Sequence, residues 1–182
     1  MNAQTIILER VDGVWWVLLQ LRAATQHVAP RHLASIGGRR EESDADAEHT
    51  AARELLEESG VVADRLREFA RSKRCIWFWG RQRTRVPPTT PYEMDDARFL
   101  RRILGRGPRA LGAPYGHVWV RAARVEDVPW PFMTAVRDRV AAALAAAEAE
   151  EEAGAAAGAL AKPPKKADAP PTTTTTAAET TA

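Results

Sequence analysis

The chain has 182 residues, 45% apolar and 27% charged, enough for one globular domain with a real core and too few to argue for two. Its longest apolar run, Val14 to Leu19, falls far short of the roughly 20 residues that cross a bilayer, and Met1-Asn2-Ala3-Gln4 lacks the basic and apolar start of a secretory signal. One cysteine, Cys75, excludes an internal disulfide, so a reducing, cytoplasmic compartment without a membrane partner is expected (host cytoplasm if the source is viral).

In chain order, residues 5–10 and 14–22 read as two strands joined by Asp12-Gly13, a hairpin signal because both turn positions favour positive φ. Residues 23–32 are polar, contain Pro30 and read as a loop. A short strand, Leu33–Ile36, runs into Gly37-Gly38. Ser43, followed three residues on by Asp46, resembles a capping box. Ala47, Ala51 and Leu55 then recur at four-residue intervals, giving the apolar stripe of a helix from about 45 to 59, with Gly60 as its left-handed stop. Cys75 to Trp79 are strand-like. Residues 81–113 read as irregular, with a short helix near Asp95–Leu104. His117–Arg121 is a late strand, and Phe132–Ala147, with Val136, Val140 and Leu144 at helical spacing, is a closing helix. The organisation expected is a domain over 1–147 and a low-complexity tail over 148–182, too poor in large apolar residues to offset its ordering entropy.

The chemistry concentrates on the central helix. Glu54, Glu57 and Glu58 stand at i, i+3 and i+4 and so share one side. Like charges at that spacing destabilise an isolated helix. Taken alone, such a trio is more often a solvated acidic face than a metal site. A cation would relieve the repulsion, and clustered carboxylate oxygens suit Mg²⁺ or Mn²⁺. Arg53 is placed to hold a glutamate by charge-assisted hydrogen bonds. Gly37 and Gly38, just upstream, let the backbone approach a ligand closely.

The row Arg53-Glu54-Leu55-Leu56-Glu57-Glu58-Ser59-Gly60-Val61, with Gly37-Gly38 before it, resembles the Nudix box, and the chain is identified on these residues as a member of the Nudix family. One feature departs from the usual form. Gly38 to Arg53 is 15 positions rather than 14, and Asp44 stands where a glutamate is usual. That longer spacing looks like the coenzyme A pyrophosphatase branch, although Arg22, His27 and His32 do not reproduce that branch's further element closely. The resemblance implies an α+β fold, an α/β/α sandwich with a mixed central sheet and the box helix packed on it. It implies metal binding by Glu54, Glu57 and Glu58, with Glu54 as an alternative water activator and Arg53 orienting the glutamates. Gly37 and Gly38 would approach the substrate. A further acid often comes from outside the box, which makes Asp44, Glu93, Asp95 and Asp96 candidates, although acids in a loop are usually just solvated.

The substrate is less legible. Trp77 and Trp79 share one side of a strand. They are either core or, in a base-binding site, a stacking pair. Residues 65–109 carry 13 basic against 4 acidic residues, a block that is either a solvated face or a track for phosphates. Three functions follow. The first is a pyrophosphohydrolase cleaving a nucleoside-diphosphate-linked substrate by activated-water attack on phosphorus. The second is an RNA 5′-end (cap or pyrophosphate) hydrolase using the basic segment. The third is an inactive nucleotide- or RNA-binding module, disfavoured by the intact glutamates.

Overall fold

A computed structural model describes residues 1–86 and 116–160, with side chains to 157. Strands β1 (Asn2–Val11) and β2 (Val14–Leu21) form the expected hairpin. Asp12 and Gly13 take φ of 50° and 78°, the conformation that matches the twist of the flanking strands. Strand β7 (Cys75–Gly80) pairs parallel with β1, and β6 (Arg67–Arg71) pairs antiparallel with β7. Strand β9 (His117–Arg121) lies antiparallel along β2.

The single short strand expected over 33–36 is instead two. Strand β3 (Leu33–Ala34) pairs with Gln20 and Leu21 of β2, whereas β4 (Ile36–Arg39) pairs with residues 2–5 of β1. Strands β1 and β2 are paired only from Ile7↔Leu18 outward to the turn. Beyond that point they part, and the chain segment 33–39 crosses from one to the other. Together these seven strands make the mixed central sheet.

Alternation along the strands assigns side chains to the two faces. Ile7, Leu18, Ile36 and Trp119 pack with Leu55 and Val61, and Ala3, Ile76 and Phe78 pack with Ala51. This is the face covered by α1 (Ala47–Ser59). Ile6, Leu8, Val17, Leu19, Trp77, Trp79, Val118 and Val120 form the opposite face, covered by α2 (Val136–Leu160) through Val136, Val140, Ala143 and Ala147. The α/β/α sandwich is thus present. A separate two-stranded pairing joins β5 (Val61–Ala63) to β8 (Gln82–Arg85), and a 3₁₀ turn follows β9 at Ala122–Asp127.

Both helices differ at their ends from the sequence expectation. The N-cap of α1 is Asp46 rather than Ser43: its carboxylate accepts from the His49 backbone N–H at 2.8 Å. Gly60 closes the helix with φ 69° as expected. Helix α2 starts at Val136, not Phe132, and continues past Ala147 to Leu160. Its extension is rich in alanine, the strongest helix former. It is also tethered by charge: Glu150 binds Arg67 at 2.5 Å, and Glu151 binds Arg10 at 2.5 Å and Arg81 at 2.6 Å. No helix among the described residues is long and apolar enough to cross a membrane.

Candidate active site

The site is assembled where β1 and β2 part. The crossing segment brings Gly37 and Gly38 under the C-terminal half of α1. Gly38 is paired with Ala3, so a Cβ at position 38 would point toward the helix, and it would strike the Glu54 carboxylate. Gly37 has φ of 149° and its Cβ position is filled by the Ala3 carbonyl. Both glycines are therefore required by close approach. The Gly37 N–H donates to Glu58 Oε2 at 3.2 Å, so backbone and carboxylate meet directly.

Arg53 organises the helix face. Its Nε donates to Asp44 Oδ1 at 3.0 Å and its Nη2 to Asp44 Oδ2 at 3.1 Å. The same guanidinium reaches Glu54 at 3.1 Å and Glu57 at 2.9 Å, and donates to the Arg39 carbonyl at 3.1 Å. Asp44 is 2% exposed and also accepts from the Glu41 N–H at 2.9 Å. The hydrogen bonds from Arg53, first, hold its carboxyl well below the usual carboxylate range. Asp44 consequently anchors Arg53 and does not offer its oxygens to a ligand. In the loop before Ala47, Arg40 ties the chain by donating to the Asp44 and Ala45 carbonyls. The glutamates keep their face.

Burial acts on the carboxylates most. Desolvation pushes Glu58 up to about 7, against a smaller lowering influence of the neighbouring Gln20 amide and the Gly37 N–H. Desolvation likewise raises Glu54, while Arg53 opposes it. Two desolvated carboxylates on one helix face are poorly neutralised by protein alone. Their hard oxygen donors, with Glu57 beside them, suit a divalent cation. Among the described residues no three acidic, histidine or cysteine side chains already converge as a finished cage. Glu54 and Glu57 are held by Arg53 instead, and loading would exchange part of that pairing for an ion.

Other expected site residues lie elsewhere. Trp77 and Trp79 are buried on the opposite side of the sheet, in the core beneath α2. Arg139 stacks over Trp77 at 5.6 Å, and Arg67 over Trp79 at 4.6 Å. This corrects the base-stacking reading of the pair, since the sheet separates them from the glutamates. Glu93, Asp95 and Asp96 lie outside the described residues. Of the basic block, Arg67, Arg71 and Arg81 are internally paired, with Glu150, Glu68 and Glu151. The residue missed in the sequence is Gln20, a buried amide on the α1 face of the sheet whose position beside Glu58 follows only from the parting of the strands.

The family model for the NUDIX domain matches residues 1–104. No curated protein matches the chain. Among solved structures it is similar to the Nudix hydrolase RenU from M. smegmatis, at 16% identity over 83% of this chain and 86% of that one, TM-score 0.50. It is also similar to a C. elegans Ap4A hydrolase, at 13% identity over 82% and 97%, TM-score 0.50. Shewanella oneidensis NrtR matches at 14% identity over 78% of this chain but only 60% of that longer one, TM-score 0.50. These likenesses agree on the fold. With a box that closes on its own glycines and a family model matching more than half of its length, the chain belongs to the Nudix family, as a Nudix hydrolase.

Proposed function

We propose that this chain is a pyrophosphohydrolase that cleaves the diphosphate linkage of a nucleoside-diphosphate-linked substrate, with Mg²⁺ or Mn²⁺ held by Glu54, Glu57 and Glu58. Nudix hydrolases generally use divalent metal ions. The observation that carries the reading is the contact of the two glycines with the glutamates: Gly38 has no room for a side chain beside Glu54, and Gly37 donates to Glu58. When bound, a divalent ion supplies polarisation of phosphoryl oxygens and a lowered pKa for water.

The protein's own groups supply the rest. Glu54, whose affinity for protons is raised by burial, is suited to accept one from the attacking water. Attack forms one P–O bond and breaks the bridging P–O bond, leaving two phosphate-ended products. Arg53, fixed by Asp44, keeps Glu54 and Glu57 on the reacting side of the helix.

The test is a panel of coenzyme A, dinucleoside polyphosphates, nucleotide sugars, nucleoside triphosphates and capped RNA, each with Mg²⁺ or Mn²⁺. Turnover of a diphosphate compound that is abolished in Glu57→Gln and Glu58→Gln supports the assignment. Unchanged turnover in both variants would overturn it.

A further inference from the structure

Glu54 and Glu57 are held by a cation, Arg53, at 3.1 and 2.9 Å. Glu58 is held differently, by two neutral groups of the sheet. The Gly37 N–H of β4 donates to its Oε2 at 3.2 Å. From the other side, the Gln20 side chain of β2 reaches the same carboxylate and helps stabilise its charge. An ionised carboxylate only accepts hydrogen bonds, so it is the N–H end of the amide that faces it. Arg22, the cation that also acts on Glu58, is directed to the Val28 carbonyl at 2.9 Å and to Gln26 at 3.0 Å. Gln20 is 2% exposed, in a strand where Leu18, Leu19 and Leu21 are buried and apolar. Burying an amide is costly where an aliphatic side chain could stand instead. Its place beside Glu58 is what sets it apart from those leucines.

We propose that Gln20 is a positioning residue of the cation site, orienting Glu58 toward the divalent ion without neutralising it. This rests on the metal-dependent reading above. A carboxylate already paired with a guanidinium must exchange part of that pairing for the metal, as Glu54 and Glu57 would. One held by neutral donors keeps its full charge for the ion. Because its orientation is set beforehand, it also gives up less freedom on binding. The two donors come from β4 and β2, on either side of the place where β1 and β2 part, so Glu58 is fixed from both.

The test reads metal binding apart from turnover, by titrating Mn²⁺ into the full chain and following the free ion by its electron paramagnetic resonance signal. Gln20→Met keeps the length of the side chain and removes the amide. It is expected to bind Mn²⁺ about 10- to 100-fold more weakly, the usual effect of losing a group that holds a metal ligand. Its metal-free thermal melt should match or exceed the parent's, since an apolar group replaces a buried polar one. Gln20→Asn, which keeps an amide but draws it back, should lie between the two in affinity. In a Glu58→Gln background, Gln20→Met should change the affinity by less than about twofold, because the effect acts through that carboxylate. Parent-like Mn²⁺ affinity in Gln20→Met, or an equal loss in the Glu58→Gln background, would overturn the role. Mn²⁺ binding that depends on Gln20, without hydrolysis of any diphosphate, would uphold it and sink the hydrolase reading. Hydrolysis by a parent whose Mn²⁺ affinity ignores Gln20 would do the reverse.

Discussion

Arg53 binds Asp44 through two parallel hydrogen bonds, at 3.0 and 3.1 Å, and this fork fixes the guanidinium that also reaches Glu54 and Glu57. Such bidentate pairs set orientation as well as energy. Asp44→Ala would leave Arg53 free to swing and is expected to cost about 10- to 100-fold in kcat/KM, the usual effect of losing a group that orients metal-binding residues. Asp44→Glu should recover part of it. The comparison is a kinetic one at saturating Mg²⁺ against the parent, and an Ala variant as active as the parent would show that the fork is dispensable.

The same pair predicts acid sensitivity. Asp44's folded pKa is depressed, so its contribution to stability is present above the ordinary carboxylate range and is lost as pH falls toward the folded value. Urea midpoints measured downward from pH 5 should fall steeply in the parent and more shallowly in Asp44→Asn.

Glu58 has the opposite sign. Burial raises its folded pKa to about 7, above the ordinary 4.5. Its contribution in the metal-free protein is thus fully present below about pH 4.5 and is lost as pH rises through 7. The shift corresponds to a loss on the order of 3 kcal/mol. Thermal melts in a chelator between pH 5 and 8 should show this decline, Glu58→Gln should flatten it, and Mg²⁺ should oppose it at the alkaline end.

The two glycines separate fold from site. Gly37→Ala forces a Cβ into the Ala3 carbonyl at φ 149° and should destabilise the protein by about 1–3 kcal/mol, as overpacking does. Gly38→Ala meets only the movable carboxylate of Glu54. It should melt close to the parent while losing most of its kcat. Equal losses of stability in the two variants would contradict this division.

Trp79 offers a check on the corrected tryptophans. Trp79→Ala empties part of the core beneath α2 and should cost about 3–5 kcal/mol in denaturant unfolding. The KM of the folded fraction should be unchanged. A raised KM with unaltered stability would restore a substrate role.

Much of this molecule was legible in its sequence because the informative signals are local. Asp12-Gly13 needs only its own backbone preference to make the turn. The box needs only helical spacing to gather Glu54, Glu57 and Glu58, and Gly60 only its missing side chain to end the helix. What was not legible depends on distant partners. The choice of Asp46 over Ser43 as cap is decided by which residue stands at the turn once Asp44 is taken up by Arg53. Period-two alternation places Trp77 and Trp79 together, but which sheet face they share is set by how β7 docks beside β1. Helix α2 outruns its apolar stripe because Arg10 of β1, Arg67 of β6 and Arg81 between β7 and β8 await its glutamates. Gln20 had no signal at all: a glutamine in an apolar strand becomes notable only when the neighbouring strand turns away.

That parting of β1 from β2 beyond the Ile7↔Leu18 pair has a consequence for how the enzyme can change. Gly37 and Gly38 are on β4, paired with β1, while the loop at residues 23–32 follows β2. Beyond the Ile7↔Leu18 pair the two halves meet across a seam with no β1–β2 ladder. Residues on the β2 side can therefore be exchanged or lengthened without shifting the register that seats the glycines against the glutamates. A library meant to keep the site intact would therefore vary the loop at residues 23–32 and leave β1 and β4 alone.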